Sequence, residues 1–276
     1  MRNRLRTLVR GTLLVAATFA FAHAGHAAEP AAPPAPEAPD ASEIDDKAVA
    51  LIKRMGEFLK AQTRFAFTVD QSYDVVQEDG EKLEFGDIRR YTVRRPDRLR
   101  IDGDKRDGSP RTLFFDGNQI LVWVPSDKAY ALAKLKQHRD LDTTLTLAEG
   151  NLDIQVPLAG LLRTDPTAEI LEHLESAYIV GKEELAGVPC QHVALRTDEI
   201  DGQFWFATGD QPLLQRVVIE YRTLEGQPRY SADLSKWTFT PDVADSVFTF
   251  VPPDGAERVR FTVRGRDVQP AEEPKP

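Results

Sequence analysis

From residue 64 onward the chain alternates apolar and polar residues in short runs, and each run ends at a tight turn. Phe65, Phe67 and Val69 alternate with Ala66, Thr68 and Asp70, the period-two pattern of a strand with one buried face. Glu78-Asp79-Gly80-Glu81 turns the chain into a return strand over 85–94. Pro96-Asp97 breaks that strand, and alternation resumes over 98–102. Phe114-Phe115-Asp116-Gly117-Asn118-Gln119-Ile120 reads as a hairpin, because Asp-Gly supplies the positive φ angles of a tight turn. Pro125-Ser126-Asp127-Lys128 turns once more, pairing 120–124 with 129–132. After a gap the pattern returns at 178–184, 188–197, 203–207, 213–222 and 230–240, with short pieces at 247–250 and 259–263. Consecutive strands on short turns give an antiparallel meander, and a sheet this long must curl strongly or close.

The gap is helical. Residues 139–150 and 156–163 lack alternation, and Asp165-Pro166 fits the cap and first position of a further helix with Ile170, Leu171 and Leu174 on its apolar face. Another helix precedes the strands. Val49, Ile52, Met55, Phe58 and Leu59 form one stripe at three- and four-residue spacing, with Ser42 as N-cap and Asp45 and Asp46 in the first turn. The expected fold is α+β and mostly antiparallel β: a strongly curved incomplete β-barrel, or half-barrel. An N-terminal helix and a central helical insertion cover its concave face.

The N-terminus reads as an export signal over residues 1–28. Arg2, Arg4, Arg6 and Arg10 precede an apolar run at 13–22 that falls short of a bilayer span. Small residues follow, with cleavage expected after Ala24, Ala27 or Ala28. The expected product is periplasmic, soluble and not stably inserted in a membrane. Residues 29–42 are a Pro/Ala-rich extended linker, residues 43–264 one folded domain, and residues 265–276 a disordered tail. Removing four arginines and no acid takes the net charge from −9 to −13. That balance argues against nucleic acid as a partner.

Catalytic signatures such as H-E-x-x-H, G-x-S-x-G, G-x-G-x-x-G and C-x-x-C do not occur, so no enzyme activity and no cofactor are expected. Cys190 and His192 lie two apart on one strand, but two ligands do not make a metal site, and a lone cysteine reads as a packed apolar residue. The run at 102–108 has its glycine out of place for a calcium loop. The acid pairs Asp140/Asp142 and Glu183/Glu184 are ordinary in a chain with 44 carboxylates.

Aromatic content carries the functional expectation. Several strands are apolar on both faces, as in Leu113-Phe114-Phe115 and the run at 120–124. Such strands need a second cover or a ligand. An apolar cleft between the sheet and its helices, gated by the insertion over 140–174, would hold a lipid, an acyl chain or another apolar small molecule. Phe65, Phe67, Tyr91, Phe115, Trp123 and Phe206 are its expected lining. The alternative is an envelope interaction module that binds a protein partner and has only a core where the cleft would be.

Three stretches together resemble a family of predicted periplasmic proteins of unknown function: Gly187-Val188-Pro189-Cys190-Gln191-His192-Val193-Ala194-Leu195-Arg196, Asp201-Gly202-Gln203-Phe204-Trp205-Phe206, and Gln211-Pro212-Leu213-Leu214-Gln215-Arg216-Val217-Val218-Ile219. Phe250-Val251-Pro252-Pro253-Asp254-Gly255-Ala256 is similar to that family's C-terminal signature, and Tyr91-Thr92-Val93-Arg94-Arg95-Pro96-Asp97-Arg98-Leu99 to its N-terminal one. The family resembles the LolA/LolB-like lipoprotein-carrier superfamily. That resemblance implies an incomplete β-barrel closed by helices around an apolar cavity, and it implies no particular ligand.

Overall fold

A computed structural model describes residues 44–152, 154–261 and 268–269. The export signal, the linker with Ser42 and most of the tail lie outside the described residues. The first helix, α1 (Asp46–Lys60), is capped by Asp45, whose carboxylate accepts the Lys47 N–H at 2.8 Å. Ala48, Ile52, Met55, Gly56 and Leu59 form its buried face. Gly56 is needed there: a Cβ would sit 2.7 Å from Thr167 Oγ1 in the insertion.

Two meanders follow. The first is β1 (Arg64–Val76), β2 (Lys82–Arg94), β3 (Arg98–Lys105), β4 (Pro110–Phe115), β5 (Gln119–Val124) and β6 (Ala129–Leu135). The second is β7 (Leu174–Leu185), β8 (Val188–Thr197), β9 (Ile200–Ala207), β10 (Leu214–Tyr221) and β11 (Arg229–Thr238). The Asp-Gly hairpin forms between β4 and β5. Gly117 has φ 87°, and Asp116 Oδ1 accepts the N–H groups of Asn118 and Gln119.

The last long strand returns to the first, with Leu234 opposite Val69 and Tyr230 opposite Tyr73. This fuses the meanders into one thirteen-stranded sheet among the described residues, mostly antiparallel, in the order β6-β5-β4-β3-β2-β1-β11-β10-β9-β8-β7. The short strands β12 (Glu257–Val259) and β13 (Val268–Gln269) both pair with β6, β12 in the parallel sense. β13 falls inside the segment read as tail. The sheet does not close: β12, outside β6, and β7 end opposite sides of the path.

That topology determines the insertion's course. β6 and β7 are consecutive in the chain but lie toward opposite ends of the sheet, so residues 136–173 must cross from one to the other. They do so over its concave face in three helices, α2 (Leu141–Asn151), α3 (Ala159–Leu162) and α4 (Ala168–Glu172). Leu141, Leu145, Leu147, Leu152, Leu161 and Leu162 join the same core as Phe65 and Phe67 from β1. The last helix is shorter than its sequence suggests. Thr167 is its N-cap, Asp165 accepts the Thr167 N–H, and Leu174 already belongs to β7.

Residues 247–250, expected to be a strand, instead run from a 3-10 turn (Asp245–Phe248) into an extended segment against the convex face. Phe250 sits 5.2–5.7 Å from the rings of Trp123, Tyr130 and Phe114. Arg94 lies over the Phe248 ring at 5.4 Å and donates to Val243 O, and Arg100 donates to Val247 O. The C-terminal segment is therefore the second cover that the two-sided apolar strands require.

Candidate functional site

Period-two alternation puts one row of side chains from each strand on the concave face. On β1 the row reads Phe65, Phe67, Val69, Gln71, Tyr73, and on β2, running back, it reads Val93, Tyr91, Arg89, Asp87. The two ends of these rows differ. At the Phe65 end, α1 and α3 press onto the sheet and the space is filled: Phe67 stacks on Tyr91 at 4.7 Å and on Trp237 at 4.4 Å. At the Tyr73 end the space is not filled, and a cavity of about 1120 Å³ opens under the insertion, with Met55 of α1 in its lining. Its walls are Ile101, Leu113 and Val122 on one side and Phe204, Leu214 and Ile219 on the other, with Leu152, Ile154, Val156 and Leu158 of the insertion above. Half-exposed Leu224, together with Asp198, Glu199 and Arg229, marks the mouth beside the β10–β11 turn.

The floor is polar. Asp87 and Arg89 make three side-chain hydrogen bonds of 3.0–3.2 Å. Burial works to lower the Arg89 guanidinium, but the Asp87 bond leaves it raised above its ordinary value. Tyr230 Oη donates to Gln71 Oε1 at 2.9 Å. Burial raises both nearby phenols, Tyr91 to about 12 and Tyr230 further, so neither ionises in ordinary buffers.

One strand holds the insertion down. Arg89 donates to Gln155 O at 3.4 Å, Tyr91 Oη to Pro157 O at 2.9 Å, and Arg95, just past the end of β2, to Leu162 O and Arg163 O at 3.3 and 2.5 Å. The same Arg95 guanidinium donates to Leu59 O and Gln62 O at the end of α1, at 2.8 and 2.9 Å, and lies over the Phe65 ring at 5.0 Å. Burial pushes its pKa down. Arg95 thus ties α1, the sheet and the insertion at one point.

The six residues expected to line a cleft sit elsewhere. Phe65, Phe67, Tyr91, Phe115 and Phe206 do face the concave side, but all are at most 2% exposed and packed in the core, away from the cavity wall. Trp123 is on the convex face under Phe250. Aromatic type marked the filled end of the half-barrel, where α1 and α3 pack. The cavity's own lining mixes aliphatic residues with Tyr73, Phe204 and Tyr221 and with charged groups, at strand and insertion positions that share no distinctive residue type. Gln71 and Asp87, polar residues at inward positions of two strands, were the available signal.

The other chemical candidates have structural duties. Cys190 is buried beside Trp205 and Val218, and its S–H donates to Val188 O. His192 stacks on Trp205 at 4.1 Å, with Glu183 and Gln203 at its two ring nitrogens. Asp140 caps α2, Asp142 accepts the Thr164 N–H, and Asp102 is held by Arg100 and Thr112.

The family model described as "Predicted periplasmic protein (DUF2092)" matches residues 48–262. No curated protein matches the sequence. Solved structures similar to this chain include LprF from Mycobacterium bovis, at 11% identity and TM-score 0.46, covering 78% of this chain and 100% of that one. The lipoprotein LppX from Mycobacterium tuberculosis is 16% identical with TM-score 0.44, over 72% and 100% of the two chains. A LolA superfamily protein from Nitrosomonas europaea is 11% identical with TM-score 0.36, over 74% and 97%.

Proposed function

Because the chain belongs to the family of predicted periplasmic proteins whose model spans residues 48–262, we propose that it is an exported, non-enzymatic binding protein of the cell envelope. It holds a lipid, an acyl chain or another apolar small molecule inside the half-barrel, and the insertion between β6 and β7 is its lid. The observation that carries this reading is the cavity. At about 1120 Å³ it exceeds the range of most small-molecule sites, and its lining joins an aliphatic surface from both meanders and the insertion to charged groups such as Asp87, Arg89, Glu149 and Arg163. A long chain placed there leaves water at about 0.8 kcal/mol per methylene.

Titration with a fluorescent fatty acid tests the reading. Binding should saturate, compete with lipid extracted from the envelope, and fall sharply in Ile219→Lys, which places a charge on the partly buried cavity wall while the protein stays folded. A folded wild-type protein that binds no acyl probe would overturn the proposal and favour a protein partner instead.

A further inference from the structure

The cavity floor contains one donor that the fold leaves unused. Gln71 is 1% exposed and lines the cavity, and its Nε2 has no hydrogen-bond partner among the described residues. Its other end is fixed, because Oε1 accepts the Tyr230 hydroxyl at 2.9 Å. No neighbouring polar group among the described residues is placed to accept from it. Asp87, directly opposite on β2, gives both oxygens to Arg89, and Tyr91 Oη reaches up to the lid at Pro157. A buried amide without an acceptor costs about 1–3 kcal/mol. An apolar side chain on β1 at this point would avoid that cost.

Resting on the binding reading above, we propose that Gln71, held by Tyr230, is a recognition subsite for an acceptor oxygen of the ligand, and that the ligand is an acyl compound whose carbonyl is buried in the cavity. Tyr230 donates to Oε1 and so leaves Nε2 as the amide's unpartnered, buried end. Asp87 is neutralised by Arg89, so the floor presents a donor without presenting net negative charge to an approaching carbonyl. Gly103, which faces Arg89 across β2–β3, leaves the wall open beside this point: a Cβ there would make only ordinary contacts at 3.6 and 3.8 Å. The aliphatic walls then take the chain on either side of the carbonyl. A site of this kind separates acyl esters, amides and acids from hydrocarbons of equal length, because only the former satisfy the amide.

The test uses cis-parinaric acid, its methyl ester and the matching tetraene hydrocarbon, each titrated by fluorescence into the full-length secreted protein. The acid and the ester should bind about three- to tenfold more tightly than the hydrocarbon, the effect of one net hydrogen bond. Gln71→Leu should abolish that difference by weakening the ester and strengthening the hydrocarbon. If Gln71→Leu does not fold, Tyr230→Phe serves, since it frees the amide to rotate and should narrow the gap. Equal affinities for all three probes in the wild type would overturn the subsite and leave the apolar cavity standing. Binding of none of them by folded protein would overturn the cavity reading and this inference with it.

Discussion

Replacing Arg95 by alanine removes a side chain that ties α1, the sheet and the lid together. Its guanidinium makes four hydrogen bonds to carbonyls, two at the end of α1 and two at the end of α3. Hydrogen bonds from a charged group contribute about 1.5–3 kcal/mol each. One guanidinium shares its charge among all four, and the freed α1 carbonyls can turn to water, so about 4 kcal/mol is expected. For a folded body of this size that corresponds to a fall in Tm of about 10 °C. Urea and thermal unfolding measure the total. Hydrogen exchange locates it: the Leu161 and Arg163 amides, bonded within the lid to Leu158 O and Gly160 O, should lose protection well before the central β1–β2 ladder. Arg95→Lys should fall between wild type and alanine, because an ammonium cannot reproduce the planar fork. An alanine variant within about 1 kcal/mol of wild type, or one that loosens all strands equally, would refute the account of how the lid is held.

Three further outcomes follow from local geometry. Asp140 caps α2 through Thr143, whose hydroxyl and N–H hold its carboxyl below the usual carboxylate range. Asp140→Ala should therefore cost about 1 kcal/mol at neutral pH. Because the native pKa is the lower one, that difference is present above about pH 3.9 and shrinks as pH falls further through the native value, which urea midpoints over a pH series would show. Gly56→Ala should lower Tm, since the forced contact with Thr167 exceeds the helix-propensity gain of about 1 kcal/mol; an unchanged or raised Tm contradicts the close approach. Cys190 is 1% exposed and burial raises its thiol pKa, so a thiol reagent at pH 7.5 should modify it only on unfolding, and rapid labelling of native protein would count against it.

The meander was legible because its signals are local. Period-two alternation fixes which residues share a face, and Asp116-Gly117 and the turn at 78–81 fix where strands end. The length of β1, which continues to Val76, was less legible because Gln71, Ser72 and Asp74 interrupt the apolar alternation, even though residues 71–76 pair without interruption with β2. The fusion of the two meanders through β1 and β11 is a long-range pairing with no local mark, and the lid's path follows from it. The same limit governs the site. Alternation puts Phe67 and Phe115 on the concave face, but whether a concave position is packed or open depends on long-range packing of the helices against it, which alternation does not record. The argument from two-sided apolar strands pointed to a ligand where the C-terminal segment, through Phe250, supplies the cover.

The most direct measurement is native mass spectrometry of the protein purified from its own periplasm without detergent, followed by denaturation of the same sample. The account predicts a species heavier than the cleaved polypeptide by one acyl-containing molecule, lost on unfolding and absent from Ile219→Lys. Wild-type protein that is folded and carries the bare polypeptide mass, or that retains a stoichiometric protein partner and no lipid, would contradict it.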